Sequence, residues 1–511
     1  MSRTGKVLDQ LRAYESRNVT FIEPDGSWPI VWERAKGVHV WDAEGRKYLD
    51  LTAAFGVAAA GHANPRVVRA GQRQMARLSH AMGDVHPHAL KAQLARELSR
   101  ITFERWTCSN LKSRISNLKS GKTIFCNSGF EAVEAALKTA MLATGKPGVI
   151  AFTGAYHGLG YGALNATHRG HFREPFRSQL RQFGHFVPFP QVEQASSLSL
   201  NRNRKDRSGN IGDRQDACPT LEAVETRLRS LLRHKKIGAI LAEPVQGRGG
   251  INIPPPGFLP MLRRLCDEHG ALLILDEIYT GFGRTGKWFA CEHGGTGVSP
   301  VSFGSRKNTD GQDARATTPD IICLGKALTG GFPLSACVGR ADLMDAAWPS
   351  SSGEAIHTST FLGHPAGCAM ALAQIAEIRR RRLPERSARL GAYLLQLLQA
   401  PISNPQFKIS VRGIGLMAGL ELRHTDGSPA TAEALQIIKA MLRRGFILLP
   451  EGEHSNVISF TPPLTITEAQ LKQVVAALAE TLNTVAADVR RRTGPRTIPS
   501  ASLRRRLRGK P

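Results

Sequence analysis

The chain has 511 residues, of which 41% are hydrophobic and 22% charged, so it is long enough to form more than one domain-sized unit. No apolar run approaches the roughly 20 residues of a membrane helix, and the N-terminal residues lack the apolar segment of a secretory signal, which predicts a soluble, cytoplasmic protein. The eight cysteines form no CxxC pair and no zinc-type spacing with histidine, so we predict neither a disulfide framework nor a metal site. The net charge of +26 makes nucleic acid an alternative partner.

Near the N-terminus, the segment VHVWDAEGRKYLDL predicts a β-hairpin whose turn spans Asp42 to Gly45. Further on, short apolar runs alternate with amphipathic helical stretches, which is typical of an α/β fold with a mainly parallel sheet flanked by helices. The predicted strands are Thr123–Cys126, Val149–Phe152, Ile237–Ala242, Ala271–Leu275 and Ile321–Leu324, and the predicted helices are Glu131–Ala143, Leu259–His269 and Pro365–Arg381.

The pattern changes after about residue 384 to that of a smaller α+β unit. We predict that residues 1–75 contribute to this small domain, that residues 76–383 form the large domain, and that residues 384–487 complete the small one. The elements predicted in the last part are strands Ile409–Val411, Phe446–Leu449 and Val457–Phe460 and helices Thr431–Arg443 and Glu468–Val485.

Three polar stretches, 108–120, 194–220 and 294–318, differ from their surroundings. They carry too little apolar surface to offset the entropy of ordering them, so we interpret them as disordered surface insertions. Residues 488–511 contain nine basic and no acidic residues from Arg490 onward, which predicts a disordered basic tail. One alternative is that the insertions have damaged an enzyme, but the segments WFACEH and PDIICLGKAL that flank the third insertion favour an external loop.

Two motifs place polar residues directly after predicted strands, where open α/β sheets bind their ligands. Asp276 ends a strongly apolar strand, and a buried carboxylate is costly unless a cation meets it. Lys326 follows another apolar strand, and a lysine in apolar surroundings has a lowered pKa that suits Schiff-base chemistry, although a lone lysine is more often a surface residue.

Other segments are equivocal when each is taken alone. In CNSGFEAVEAALKTA, the backbone between strand and helix could bind a phosphate, or Ser128 could simply cap the helix. Tyr156 in AYHG, Glu243 in AEPVQG and Thr360 in STFLGHPAG could equally serve packing, turns or caps.

Taken together, these six segments resemble the class III aminotransferases of the fold-type I pyridoxal phosphate enzymes, over about residues 38–482. The resemblance implies pyridoxal 5'-phosphate as the cofactor, a Schiff base with Lys326, and a homodimer with shared sites. The catalytic residues it implies are Lys326, Asp276 and Tyr156. The cofactor-binding residues it implies are Ser128, Gly129, Phe130, Tyr156, His157, Glu243, Asp276, Ile278, Lys326 and, toward the neighbouring subunit, Thr360.

The substrate is less well defined by this resemblance. VRGIGLMAGLEL is similar to the segment whose arginine, here Arg412, binds a substrate carboxylate, with a structural ion pair as the alternative. Leu159 stands where acetylornithine-specific members have arginine, and Arg248 stands where ornithine- and 4-aminobutyrate-specific members have glutamate.

We therefore predict transfer of an amino group from an amino acid or ω-amine to a 2-oxo acid such as 2-oxoglutarate or pyruvate. One alternative is an aminomutase or epimerase on the same scaffold. Another is a nucleic-acid-binding protein that uses the basic tail. No membrane partner is expected.

Overall fold

The computed structural model describes residues 2–108, 120–191, 219–294, 317–399 and 406–493. The strands are β1 Trp32–Lys36, β2 His39–Asp42, β3 Lys47–Asp50, β4 Gly121–Cys126, β5 Gly148–Phe152, β6 Gly184–Val187, β7 Ile237–Ala242, β8 Leu272–Asp276, β9 Ile321–Leu324, β10 Ser335–Arg340, β11 Phe407–Gly413, β12 Ala418–His424, β13 Phe446–Ile447, β14 Leu449–Glu451 and β15 Val457–Phe460. The helices are α1 Arg3–Tyr14, α2 Ala53–Gly56, α3 Pro65–Arg77, α4 Ala89–Ser99, α5 Arg105–Cys108, α6 Gly129–Thr144, α7 Tyr161–Ala166, α8 Gly170–Arg173, α9 Leu221–His234, α10 Phe258–His269, α11 Ala341–Ala347, α12 Pro365–Arg380, α13 Leu383–Gln399, α14 Thr431–Arg443 and α15 Glu468–Thr493.

The large sheet has seven strands in the order β4, β10, β9, β8, β7, β5, β6. Strand β10 runs antiparallel to both of its neighbours, while the other pairings, from β9 across to β6, are parallel. Every residue of β5, β7 and β9 is buried, as expected of strands covered on both faces. The predicted mainly parallel α/β sheet is confirmed, and each strand that was predicted for it is present.

Helix α6 covers one face of this sheet and packs against β4, β7, β8, β9 and β10. Its buried residues are mostly alanines, which let the helix approach the sheet closely. Helix α10 is followed by Gly270, whose φ of 60° is left-handed, a conformation that glycine adopts readily after a helix.

Both chain ends contribute to a separate four-stranded sheet. The N-terminal strands β1, β2 and β3 form an antiparallel meander, and β13 pairs in parallel with β3. The hairpin turn lies where predicted, because Asp42 Oδ1 accepts hydrogen bonds from the backbone N–H groups of Glu44 and Arg46.

The prediction of one continuous strand at Phe446–Leu449 is wrong. The chain pairs with β3 only through residue 447, and from Leu449 it pairs instead with β15 in a second four-stranded sheet, ordered β11, β12, β15, β14. The switch between two partner strands divides the segment, and an apolar run by itself does not encode such a switch. The domain boundaries stay a prediction.

The predicted insertions and tail lie mostly outside the described residues. Their edges are ordinary structure: Thr220 Oγ1 accepts a hydrogen bond from Ala223 N and caps α9, and Thr317 N donates to the carbonyl of Cys291. The predicted start of the tail at residue 488 is wrong, because α15 continues to Thr493. Within the described ranges no helix is long and apolar enough to cross a bilayer, and the cytoplasmic location stays a prediction.

Candidate active site

Four side chains predicted to belong to the site lie after neighbouring strands of the large sheet. Glu243 directly follows β7, Asp276 is the last residue of β8, and Lys326 lies two residues after β9. Tyr156 follows β5 at a distance of four residues. Because these strands are parallel, their carboxyl ends meet at one edge, and the structure gathers these residues there.

The buried carboxylate of Asp276 has a histidine as its partner. Its Oδ2 lies 2.8 Å from His157 Nδ1, and its Oδ1 accepts a hydrogen bond from Ile278 N. The His157 side chain is fully buried, and its Nε2 has no hydrogen-bond partner within the described part of the chain. Where a cation was expected to meet Asp276, the structure places the imidazole of His157.

Glu243 organises the backbone around the site. Its carboxylate accepts hydrogen bonds of 3.0 Å from the N–H groups of Tyr156 and Gly247. Burial raises the pKa of Glu243, and nearby Asp276 adds to this effect, whereas His157 acts against it. Glu243 thereby fixes the main chain at the base of the Tyr156 ring.

Lys326 adopts a left-handed backbone conformation with φ of 38°, which is strained for a residue other than glycine. Its Nζ lies 4.4 Å from the centre of the Tyr279 ring. Burial lowers the pKa of Lys326, and the negative charges of Asp276 and Glu243 oppose this effect. A lysine with these properties suits nucleophilic and proton-transfer chemistry.

The N-terminus of α6 offers an anion site. Ser128 occupies the N-cap position, yet its hydroxyl makes no capping bond and is buried without a hydrogen-bond partner within the described residues. A Cβ on Gly129 would lie 3.1 Å from Ile278 Cδ1, which is a tight contact, and Phe130 is 38% exposed. The structure does not support an ordinary side-chain cap by Ser128, which favours the phosphate interpretation.

Two further predicted site residues come from other elements, Arg412 from β11 and Thr360 from the segment before α12. Arg412 Nη1 pairs with Glu421 at 2.7 Å, and its Nε and Nη2 donate to the carbonyl of Gly250, so the ion-pair alternative describes its contacts. Thr360 is exposed in the segment before α12, as a residue directed at a neighbouring subunit would be.

Three residues that sequence reasoning did not assign to the site also lie in it. Tyr279 lies beside Lys326, and its hydroxyl lies 3.1 Å from Thr461 Oγ1. The carboxylate of Glu451 is buried, and the positive charges of Lys326 and Arg169 oppose the rise that burial causes in its pKa. Tyr279 immediately follows Ile278, so it could have been found, but Glu451 sits in the segment LPEGEHS, which reads as a surface turn.

The chemistry of these groups fits the cofactor that the resemblance implies. An unused hydroxyl and the free N–H groups of α6 match a phosphate, and the Asp276 carboxylate matches a protonated ring nitrogen. Lys326 supplies an amine, and the Tyr156 ring and Ile278 supply flat and apolar surfaces.

Comparison with known proteins gives the same result. The family model described as "Aminotransferase class-III" matches residues 22–482. The chain is 33% identical to acetylornithine aminotransferase of Methanosarcina acetivorans, over 89% of this chain and 92% of that protein, and 36% identical to putrescine aminotransferase of Pectobacterium atrosepticum, over 89% and 83%. An (S)-enantioselective ω-transaminase from Thermomicrobium roseum has a similar structure, with a TM-score of 0.76, 27% identity, and coverage of 95% of this chain and 99% of that one.

These relatives are aminotransferases, so the comparisons give no support to the aminomutase, epimerase or nucleic-acid-binding alternatives. The cofactor of the enzyme is pyridoxal phosphate. The chain belongs to the class III aminotransferases and transfers an amino group from an amino donor to a 2-oxo acid.

Proposed function

We propose that amino transfer takes place between Lys326 and Asp276, with Lys326 Nζ as the covalent attachment point of the cofactor. The observation that carries this proposal is the convergence of this strained, buried lysine and this buried carboxylate at the ends of adjacent parallel strands. When bound there, pyridoxal phosphate supplies an aromatic ring that accepts electron density from the substrate carbon next to the amine.

Lys326 also moves the proton in this proposal. As a free amine whose pKa is lowered by burial, Lys326 Nζ would accept a proton from the substrate carbon and then donate it again. The negative charges of Asp276 and Glu243 oppose the effect of burial, because they favour the protonated form of Lys326. These two opposing effects suit an amine that acts first as a base and then as an acid.

The remaining side chains bind and orient. Ser128, Gly129 and Phe130 are proposed to hold the phosphate at the start of α6, with support from the unused hydroxyl of Ser128. Tyr156 and Ile278 are proposed to contact the two ring faces.

Two further residues position this machinery. His157 orients the Asp276 carboxylate through the 2.8 Å contact, and Glu243 orients Tyr156 through its backbone N–H. Both act through another residue, so we assign them positioning roles.

We further propose a homodimer in which Thr360 reaches the cofactor phosphate of the neighbouring subunit. Large apolar side chains are exposed on two linked segments, with Met82 51%, Val85 62% and Phe361 54% exposed. Thr358 Oγ1 donates to Asp84 Oδ2 at 2.6 Å and joins the two segments into one surface. An apolar surface of this kind supports an interface with a second copy of the chain.

The donor is left open by this proposal, because the similar proteins are named for a carboxylate-bearing substrate, acetylornithine, and for a diamine, putrescine. The predicted role of Arg412 in carboxylate binding stays a prediction, and its donors are engaged by Glu421 and Gly250.

Separate half-reactions test the proposed function. Purified, cofactor-loaded enzyme is mixed with an amino donor alone, and the visible absorption band of the cofactor is followed. We expect the donor to convert the band to that of the amine form and a 2-oxo acid to restore it. A band that a broad set of donors leaves unchanged would contradict the proposal.

A further inference from the structure

A pair of opposite charges beside Tyr156 has no role in the proposal above. Arg248 lies in the segment between β7 and α10, and Glu451 is the last residue of β14. Arg248 Nη1 lies 3.4 Å from Glu451 Oε2, and the Arg248 guanidinium carbon lies 5.8 Å from the centre of the Tyr156 ring. The Arg248 side chain is 30% exposed, whereas that of Glu451 is 1% exposed, so the cation is accessible and the anion is not.

The position of Arg248 is fixed by the site itself. A Cβ on the preceding Gly247 would lie 2.3 Å from Tyr279 Cδ1, so the backbone here packs tightly on the ring that faces Lys326. Gly247 N also donates to Glu243. The backbone that precedes Arg248 is therefore held in place by contacts with Tyr279 and Glu243.

Glu451 is incompletely satisfied. Neither of its buried oxygens accepts a hydrogen bond within the described part of the chain. Burial raises the pKa of Glu451 to about 7, against the attraction of Arg248, Lys326 and Arg169 and with a further contribution from Glu243. Among the described residues, the 3.4 Å ion pair is therefore the one contact that holds the Arg248 guanidinium to Glu451.

Arg412, the other candidate for binding a substrate carboxylate, has most of its hydrogen-bond donors engaged within the protein. Its Nε is shared between the carbonyls of Gly250 and Ile251, its Nη2 donates to Gly250, and its Nη1 donates to Glu421. The Arg248 side chain, by contrast, makes only the ion pair with Glu451 and the contact with the Tyr156 ring among the described residues. Most of its five N–H donors are available to a ligand.

We propose that Arg248 binds a carboxylate of the substrate and that Glu451 retains the guanidinium beside Tyr156 until that carboxylate replaces it. The proposal rests on the function proposed above for Lys326. A guanidinium binds a carboxylate through two parallel hydrogen bonds, a geometry that the 3.4 Å contact with Glu451 does not provide. Arg169, whose charge acts on both Arg248 and Glu451, adds a second positive charge to this region. The substrate class is then an amine that carries a carboxylate, such as an ω-amino acid, rather than a diamine.

The donor half-reaction tests this assignment without interference from the 2-oxo acid. Cofactor-loaded enzyme is mixed with a series of ω-amino acids, each paired with the alkylamine of the same chain length, and kcat/KM for loss of the cofactor band is measured. The wild-type enzyme should favour the ω-amino acids. Arg248→Gln should lower kcat/KM for them by about 10- to 100-fold, the loss of one charged hydrogen-bonded contact, and leave the alkylamines nearly unchanged.

Matched variants separate binding from folding. Arg177→Gln removes an exposed arginine paired with Glu174 and should behave as wild type. Arg248→Gln leaves Glu451 as an unpaired buried charge, so the double variant Arg248→Gln/Glu451→Gln is measured as well, and it should unfold at the wild-type temperature while showing the same loss of discrimination.

The two proposals fail in different ways. A wild-type preference for the alkylamines, or an equal effect of Arg248→Gln on both members of each pair, would overturn the carboxylate site while the band still responded to donors. Loss of all response in the wild-type enzyme would contradict the proposed function itself.

Discussion

The hydroxyl of Ser128 distinguishes between two roles for the start of α6, ordinary helix capping and phosphate binding. A capping serine hydrogen-bonds to the backbone of the first helical turn, whereas the Ser128 hydroxyl is buried without such a bond within the described residues. Thr220 makes the capping bond at the start of α9, with Oγ1 3.2 Å from Ala223 N. Thr220 is therefore a suitable control for substitutions of Ser128.

Ser128→Ala should weaken cofactor binding and leave the thermal unfolding of the cofactor-free protein nearly unchanged, because the protein loses no internal hydrogen bond. Thr220→Ala should do the reverse and cost about 1 kcal/mol of stability. Cofactor titration and thermal unfolding measure the two effects. Equal destabilisation by both substitutions would restore the capping interpretation of Ser128.

The need of the buried Asp276 carboxylate for a partner was predictable from the sequence. The burial of Glu451 was not. A cation was expected near Asp276 at the end of its apolar strand, and the structure places the His157 imidazole there. Nothing in the segment around Glu451 indicates burial, because its position depends on β14 pairing with β15 in three dimensions.

At the scale of elements, Asp320 links three strands and a helix beneath the site. It lies just before β9, and its carboxylate accepts hydrogen bonds from Arg263 of α10, Leu273 N of β8 and Arg340 at the end of β10. The side chain is 2% exposed. Because Lys326 lies two residues after β9, this network helps to fix the position of the Lys326 backbone.

Asp320→Ala should lower the free energy of unfolding by about 3 kcal/mol, at the low end for a broken buried pair because Arg340 is partly exposed. The exposed Asp342, which also pairs with Arg340, is the control, and Asp342→Ala should cost about 1 kcal/mol or less. Urea unfolding compares the two. A loss for Asp320→Ala no larger than that of the control would contradict a structural role for the network.

Elements were predictable where the hydrophobic period was strong. Ile237–Ala242, Ile321–Leu324 and Thr431–Arg443 have the predicted bounds, since continuous apolar runs and an amphipathic pattern mark them. The division of Phe446–Leu449 between two sheets and the extension of the last helix to Thr493 were missed, because pairing partners and helix continuation depend on tertiary contacts.

For the whole molecule, the central question is whether two chains share each site. The exposed apolar side chains of residues 82–85 and 356–361 and the exposed Thr360 support this arrangement. A shared site has a direct functional consequence, because a defect in Lys326 and a defect in Thr360 would then fall on different sites of a mixed dimer.

Mixing Lys326→Ala subunits with Thr360→Ala subunits, after dissociation and reassociation, should produce an enzyme more active than either variant alone. One site of each mixed dimer would combine a wild-type Lys326 from one chain with a wild-type Thr360 from the other. Activity is measured before and after mixing, with each variant mixed with itself as the control. Failure to regain activity, with mixed dimers confirmed by mass, would contradict the shared site.

The most direct test of the account concerns the covalent bond at residue 326. Cofactor-loaded protein is reduced with borohydride, digested, and mapped by mass spectrometry. We expect a pyridoxyl phosphate adduct on Lys326 and no such adduct in a Lys326→Ala protein treated in the same way. An adduct on another lysine, or none on the wild-type protein, would contradict it.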